Sequence, residues 1–508
     1  MPPDAALPAP AAGASLRLSL PTDLSDLSLV VATVVAVVDL VLRVVALAVV
    51  PRDRRPSSAM AWLILIFFVP SLGVVAYLLI GSPKLPRARR EKQASMNRLI
   101  EEAARGADEV VEEHPWPPWV EGVTRLNHAL GAMPLLSSND AHIIPDYRDQ
   151  LRELAEGVSK AQRYVHVEFY ILSYDDATAP VFAAMEDAVA RGVTVRVLLD
   201  HIGSWRYPGY KRAVRELDRI GVQGRLMLPV QPLKGRYQRP DLRNHRKLVV
   251  VDGETAFVGS LNLIDRTYDK RATLKRGLLW QDLLVRLHGP VVHEVDALFV
   301  TDWYSETDEV VTQATDHLAP PDPTRPLHCQ VVPSGPGFEG QNNLKLFNAL
   351  LYGASRRVSI TSPYFVPDES LLTAVTTAAE RGVAVELFVG EIGDQVLVFH
   401  AQRSYYEALL RAGVRIWLYP APYVLHAKHM SVDDDVAVVG SSNMDIRSFE
   451  LDLELTLLVL GREFTDELRR VEDDYRSRST ELTLEAWSSR GFWRRLADDL
   501  ARLTSAVQ

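Results

Sequence analysis

Two histidines stand out in this 508-residue chain because each heads the same set of neighbours. His245 is followed by Lys247, Asp252, Gly259, Ser260 and Asn262, and His426 by Lys428, Asp433, Gly440, Ser441 and Asn443, at the same five offsets. A lone His-x-Lys is ordinary strand sequence; six identities at fixed spacing, twice in one chain, are not. Lysine, serine and asparagine donors suit an anionic tetrahedral group, above all phosphate. Two imidazoles, with an unperturbed pKa of about 6.5, can divide nucleophilic and acid/base roles near neutrality. His426 and His429 could begin a zinc site, but no carboxylate or cysteine completes it at characteristic spacing. No Walker P-loop supports nucleotide-driven chemistry.

The elements that must position these residues are strands. In each copy an apolar strand runs into a turn, Asp252-Gly253-Glu254 or Asp433-Asp434-Asp435, and a second apolar strand follows. A two-residue loop would pair Asp252 with Thr255 and Asp433 with Val436. That register sets His245 opposite Asn262 and Lys247 opposite Ser260, with His426 opposite Asn443 and Lys428 opposite Ser441. Each hairpin then gathers an imidazole, an ammonium, a hydroxyl and an amide on one face.

Around the motifs, β-branched strands such as Tyr164–Leu172 and Val193–Asp200 alternate with amphipathic helices such as Pro180–Arg191, the pattern of an α/β layer. Arg191-Gly192-Val193 recurs as Arg381-Gly382-Val383, and Ile202-Gly203 as Ile392-Gly393, so the chain repeats itself once. The expected α/β domains cover residues 126–316 and 329–485, joined by a Pro-rich linker at 317–328. Residues 486–508 read as a terminal amphipathic helix with Phe492, Leu496, Leu500 and Leu503, packing on the domain.

The first 92 residues are unlike the rest. They carry ten Lys/Arg and six Asp/Glu, while the remainder holds 46 and 59, so a net charge of −9 conceals a basic start and an acidic body. That balance argues against a surface built to grip nucleic acid. A tail (1–26) precedes two apolar runs within 27–80. Leu27–Val50 is interrupted by Asp39 and Arg43, four apart and able to pair; Ala59–Ile80 carries no charge. Each is long enough to cross a hydrocarbon core of about 30 Å, so a hairpin of two transmembrane helices is expected, kinked at Pro70 and Gly73. The first run is too long for a signal peptide's apolar region. Arg52, Arg54 and Arg55 lie in the turn, against Arg17, Lys84, Arg87, Arg89, Arg90 and Lys92 on the other side, which places both ends in the cytoplasm. Residues 81–125 read as a linker, basic, then acidic (Glu101, Glu102, Asp108, Glu109, Glu112, Glu113), then Pro-rich (Trp116-Pro117-Pro118-Trp119). The single Cys329 excludes an intramolecular disulfide.

At these residues the sequence resembles the phospholipase D superfamily, whose HxKxxxxD motif occurs twice per catalytic unit. Within it the resemblance is to bacterial cardiolipin synthases, from the apolar segment (Trp62, Pro70, Gly73, Tyr77, Gly81) to the end of the second repeat. It includes Asn244-His245-Arg246-Lys247, Trp280-Gln281-Asp282, Thr361-Ser362-Pro363-Tyr364-Phe365-Val366-Pro367 and Asn443-Met444-Asp445-Ile446-Arg447-Ser448-Phe449. Two positions depart from the family pattern: Gln281 stands where arginine is usual, and Asp452 where asparagine is expected ahead of Glu454.

The resemblance implies two similar phospholipase D-type α/β domains sharing one active site behind a membrane hairpin, and a metal-free, cofactor-free, two-step reaction. One histidine attacks the phosphorus of phosphatidylglycerol and forms a phosphohistidine. The other protonates the departing glycerol, then activates a hydroxyl of a second phosphatidylglycerol. Carried over, His245 is the nucleophile and His426 the acid/base, although near-symmetry of the motifs leaves the reverse open. Lys247, Lys428, Asn262 and Asn443 would hold the phosphate, with Ser260 and Ser441 assisting. Asp282 and Glu454 would orient the imidazoles as a triad's acid orients its histidine. Asp252 and Asp433 complete the catalytic motif and are expected to stabilise the hairpins. The expected partners are phosphatidylglycerol and membrane lipid, not nucleic acid, with self-association left open and a multi-pass location in the cell membrane. A hydrolytic phospholipase D, a transphosphatidylase using another alcohol, a membrane-tethered nuclease and a non-catalytic scaffold are the alternatives.

Overall fold

A computed structural model describes residues 24–52, 56–81, 85–104, 116–311, 322, 324–338 and 340–503, without the side chains of 24–27, 57 and 101–104. Arg17, Arg54, Arg55, Lys84, the acidic side chains between 101 and 113 and most of the Pro-rich junction lie outside the described residues. The chain forms two units, Met1–Ser82 and Pro83–Gln508.

In the first unit, helix α1 (Leu24–Val49) includes the apolar stretch Ser28–Val49, about 33 Å long at 1.5 Å per residue, with its valines and leucines exposed. Asp39 and Arg43 pair at 2.8 Å. The second apolar run differs from expectation: it is not one helix but two, α2 (Pro56–Phe68) and α3 (Pro70–Ile80). Proline lacks an N–H and forces the residue before it away from helical angles. Val69 (φ −136°, ψ 73°) therefore ends α2, and Pro70 opens α3. The chain turns back there. Trp62 and Tyr77 meet edge to face with ring centroids 5.5 Å apart, whereas one straight helix would hold those residues about 22 Å apart. Gly73 makes the reversal tight, because a β-carbon there would lie 2.7 Å from the Ile66 α-carbon. Among the described residues, one helix is long and apolar enough to cross a membrane, rather than the expected two.

The second unit is built on a 16-stranded sheet, fifteen strands in one continuous order and a short one, Arg243–Asn244, beside the strand Asp452–Leu460. Its first half contributes β1 (Leu136–Ile144), β2 (Tyr164–Phe169), β3 (Thr194–Asp200), β4 (Gln223–Met227), β5 (Lys247–Val251), β6 (Thr255–Gly259) and β7 (Leu284–His288). The second half contributes β8 (Leu327–Ser334), β9 (Arg357–Thr361), β10 (Ala384–Gly390), β11 (Arg415–Tyr419), β12 (His429–Val432), β13 (Val436–Gly440), β14 (Asp452–Leu460) and β15 (Thr480–Leu482). Outward from the centre the order is β1-β7-β6-β5-β2-β3-β4 on one side and β8-β14-β13-β12-β9-β10-β11-β15 on the other. The repeat seen in sequence is thus a repeat in space, joined where β1 pairs with β8. Gly192 and Gly382 occupy the same turn in each half, at φ 89° and 91°, letting helix give way to strand at once.

One face of the sheet carries a core common to both halves, including Val285, Phe299, Trp303, Val331, Leu457 and Phe464. The other face carries a separate core in each half, around Val167 and Phe182 in the first and Ile360 and Leu387 in the second. The expected linker is partly helical: residues Arg87–Ala104 ion-pair through Arg89 to Glu306 and Lys92 to Asp308, and Pro118–Gly131 buries Val120 and Val123. The terminal helix Phe492–Arg502 is held by buried Asp498, which binds His400 at 2.7 Å and also Arg490. Its Phe492, Leu500 and Leu503 are exposed.

Candidate active site

The motif hairpins pair one residue off the expected register. Val251 faces Thr255 and Val432 faces Val436, so the loops hold three residues. The motif aspartates explain the slip. Asp252 (φ 55°) and Asp433 (φ 48°) take left-handed backbone angles and turn their carboxylates toward the start of the neighbouring strand. Asp252 accepts from the backbone N–H groups of Gln162, Arg163 and Tyr164 at 2.7–2.8 Å. Asp433 accepts from those of Ser355, Arg356 and Arg357 at 2.8–3.0 Å. Both aspartates therefore tie the hairpin to the strand beside it.

The glycine of each motif has a steric reason. A β-carbon on Gly259 would lie 2.3 Å from the Leu283 carbonyl oxygen, and one on Gly440 would lie 2.3 Å from that of Leu455. Without side chains the strands close, and the next N–H groups, of Ser260 and Ser441, donate to those carbonyls at 2.9 Å. The hydroxyls then reach the adjacent carboxylates, Ser260 Oγ to Asp282 at 2.7 Å and Ser441 Oγ to Glu454. Both serines sit behind the imidazoles rather than opposite the lysines.

Those carboxylates hold the histidines, and they do so crosswise. His426 Nδ1 lies 2.6 Å from Asp282 of the first half, and His245 Nδ1 lies 3.0 Å from Glu454 of the second. Backbone bonds reinforce the exchange: His245 N–H donates to Leu453 at 2.8 Å, and His426 N–H to Gln281 at 2.8 Å. With Nδ1–H given to a carboxylate, each ring keeps its Nε2 lone pair for chemistry. Lys247 and Lys428 each donate to the backbone carbonyl of their own motif's histidine, at 2.5 Å.

All six groups are buried, and burial sets their charge. It lowers His245 to about 4, helped by Lys247 and Lys428 and opposed by Glu454. His426 is lowered by the same burial and by Lys428. Both imidazoles are therefore neutral near pH 7. Burial also brings Lys247 down to about 8 and Lys428 to about 7, the second pushed further by Lys247. Burial would raise Asp282 and Glu454, yet the facing histidines, lysines and serine hydroxyls hold both below the usual carboxylate range. The result is two neutral bases and two labile cations around a common point.

The asparagines behave differently from each other. Asn262 is engaged, donating to Tyr268 at 2.8 Å and accepting from Ile171 N–H at 3.2 Å, while the buried Asn443 Oδ1 has no hydrogen-bond partner among the described residues. Sequence reasoning passed over the aromatic walls. Tyr170 meets the His245 ring edge-on at 4.9 Å, and Tyr268 meets that of His426 at 6.4 Å while stacking on Trp280. It also passed over a basic rim. Tyr207 meets Tyr268 at 5.6 Å and carries Lys270 3.8 Å over its ring, in an open cavity with Arg206, Lys211 and Arg271. Isolated tyrosines and arginines in loops carry no spacing that would have flagged them.

A family profile described as "Cardiolipin synthase, PLD-like domain" matches residues 154–303 and 348–474, and one described as "Phospholipase_D-nuclease N-terminal" matches 31–82. A cardiolipin synthase of Serratia proteamaculans (strain 568), designated A, is 32% identical over 476 residues, covering 90% of this chain and 94% of its own. The chain belongs to the cardiolipin synthase family of phospholipase D-like enzymes. A second member, the cardiolipin synthase of Geobacillus kaustophilus (strain HTA426), is 30% identical over 472 residues and 91% of each chain. A crystal structure of phosphatidylserine synthase from Haemophilus influenzae Rd KW20 has the same fold, with a TM-score of 0.57 at 14% identity over 76% of this chain and all of that one.

The two departures from the family pattern have structural accounts. Burial pushes Asp452 up to about 8, although Arg447 lies 3.3 Å away. At neutral pH it is mostly protonated, and a protonated carboxyl offers one donor and one acceptor, as the asparagine amide does. Gln281 contributes its backbone carbonyl to the His426 segment and turns its side chain to the Pro145 carbonyl at 2.9 Å, in a cavity shared with Arg470 and Arg478.

Proposed function

We propose that this member of the cardiolipin synthase family is a membrane-anchored phosphatidyltransferase that converts two phosphatidylglycerol molecules into cardiolipin and glycerol. The observation that carries the reading is the crossed pairing of His245 with Glu454 and His426 with Asp282, which makes one reaction centre from two halves. His245, neutral and backed by a carboxylate, attacks phosphorus through Nε2. The P–O bond to the glycerol headgroup breaks, and His426, in the fraction of the enzyme that carries a proton on its Nε2, supplies the proton the glycerol leaves with. Lys247 and Lys428 neutralise charge on the phosphoryl oxygens. In the second step His426 takes the proton of a headgroup hydroxyl on another phosphatidylglycerol. The new P–O bond forms as the P–N bond breaks, restoring both histidines. The basic, aromatic rim at Arg206, Tyr207 and Lys270 suits the approach of an anionic headgroup, and the exposed apolar α1 anchors the chain in the cell membrane, with the catalytic unit in the cytoplasm.

Water in place of the lipid alcohol would give phosphatidic acid, and both outcomes use the same first step. Purified protein incubated with phosphatidylglycerol vesicles and followed by mass spectrometry separates them. Cardiolipin and glycerol in equal amounts are expected; phosphatidic acid without cardiolipin would assign a hydrolase.

A further inference from the structure

We infer that the α2–α3 pair is a re-entrant hairpin that enters and leaves the bilayer on one face, so that α1 alone crosses. Residues 1–23 and the chain beyond Ile80 then lie on opposite sides of the membrane. α2 has 13 residues and α3 has 11, about 20 and 16 Å of helix, and neither crosses about 30 Å of hydrocarbon alone. They do not add end to end, because the contact of Trp62 with Tyr77 and the seating of Gly73 on Ile66 require the limbs to lie side by side. Phe68, Leu72, Leu78 and Leu79 still face outward, a surface suited to lipid.

A helix break within hydrocarbon must have its polar groups satisfied. Here Val69 N–H donates to Leu65 at 2.9 Å and Gly73 N–H to Val69 at 2.7 Å, carrying hydrogen bonds through the turn. Arg43 of α1 stands 5.6 Å from the ring of Phe67, beside the C-terminal end of α2, where a cation is favoured, while Asp39 balances its charge. The only charged residues in the long span thus sit where the reversal needs them.

Charge distribution supports the same topology independently. If two helices crossed, the Lys/Arg count would be six on one side (Arg17, Lys84, Arg87, Arg89, Arg90, Lys92) and three on the other. If only α1 crosses, Arg52, Arg54 and Arg55 join Lys84 through Lys92 on one side, eight against Arg17 alone. The positive-inside rule then assigns residues 1–23 to the outer side far more decisively than it assigned them to the cytoplasm.

Single cysteines placed in a Cys329→Ser background test this in intact cells, using a membrane-impermeant maleimide applied before and after permeabilisation. Ser19→Cys should label in intact cells, and Ser58→Cys and Ser82→Cys only after permeabilisation. Ser19→Cys and Ser82→Cys labelling alike, with Ser58→Cys opposite, would establish two crossings and overturn the inference. The double variant Trp62→Cys/Tyr77→Cys should form an intrachain disulfide in membranes with a copper oxidant; absence of that bond would refute the hairpin. Conversion of phosphatidylglycerol by the same variants is measured separately, so a topological failure is distinct from a failure of the proposed reaction.

Discussion

The two halves of the reaction centre are built alike and tuned apart. Each offers a histidine, a lysine bonded to that histidine's carbonyl, and a serine behind its own half's carboxylate. Yet His245 sits against a glutamate and Tyr170, and His426 against a shorter aspartate at 2.6 Å. Lys428 is lowered to about 7 and Lys247 only to about 8. Asn262 is locked by Tyr268, whereas the carbonyl of Asn443 has no partner among the described residues. Sequence symmetry gives a shared scaffold; in the proposed reaction these differences would let one imidazole form the covalent bond while the other moves protons.

The strongest break in the comparison is removal of either ring. His245→Ala and His426→Ala should each lower turnover of phosphatidylglycerol by at least about 10⁴-fold, since nucleophile and acid/base act as one unit. Activity surviving in either variant would mean that one half suffices. Next come the crossed carboxylates. Glu454→Gln and Asp282→Asn should cost about 10²–10³-fold in kcat with little change in KM. The loss in Glu454→Gln should largely vanish in a His245→Ala background, whereas additive losses would deny the exchange.

Lys428 sharpens the comparison through pH. Its ammonium is lost as pH rises through about 7, before that of Lys247 near 8, so phosphate binding should weaken on that alkaline limb. Lys428→Arg keeps its charge and should move the limb upward by about one pH unit; an unmoved limb would assign it to another group. The motif aspartates provide the contrast, acting on the hairpins rather than the reaction. Asp252→Ala and Asp433→Ala should each cost about 2–4 kcal/mol of unfolding free energy by denaturant titration. The folded fraction should keep kcat within about threefold; a catalytic loss without destabilisation would return these residues to the chemistry.

Much of this was readable in the sequence because chemistry demanded repetition. The spacing of His245 through Asn262, copied at His426 through Asn443, exposed the site, and the alternation of strand and helix exposed the layer. The register was not readable, because it turns on two aspartates adopting left-handed backbone angles to reach amides 76 to 90 residues away. The serines were misplaced for the same reason, since a one-residue slip exchanges strand faces. The reversal at Val69 also escaped. Pro70 and Gly73 are compatible with a kink in a long helix, and only the packing of Trp62 on Tyr77 distinguishes a kink from a hairpin.

The most direct test of the division of labour uses a substrate whose leaving group needs no proton. His426→Ala given phosphatidyl-p-nitrophenol should release a burst of nitrophenolate equal to the enzyme present, leaving a phosphatidyl adduct that mass spectrometry locates on His245. His245→Ala should give neither. A burst and an adduct on His426 in the His245→Ala protein, with none in His426→Ala, would contradict the assignment and exchange the two roles.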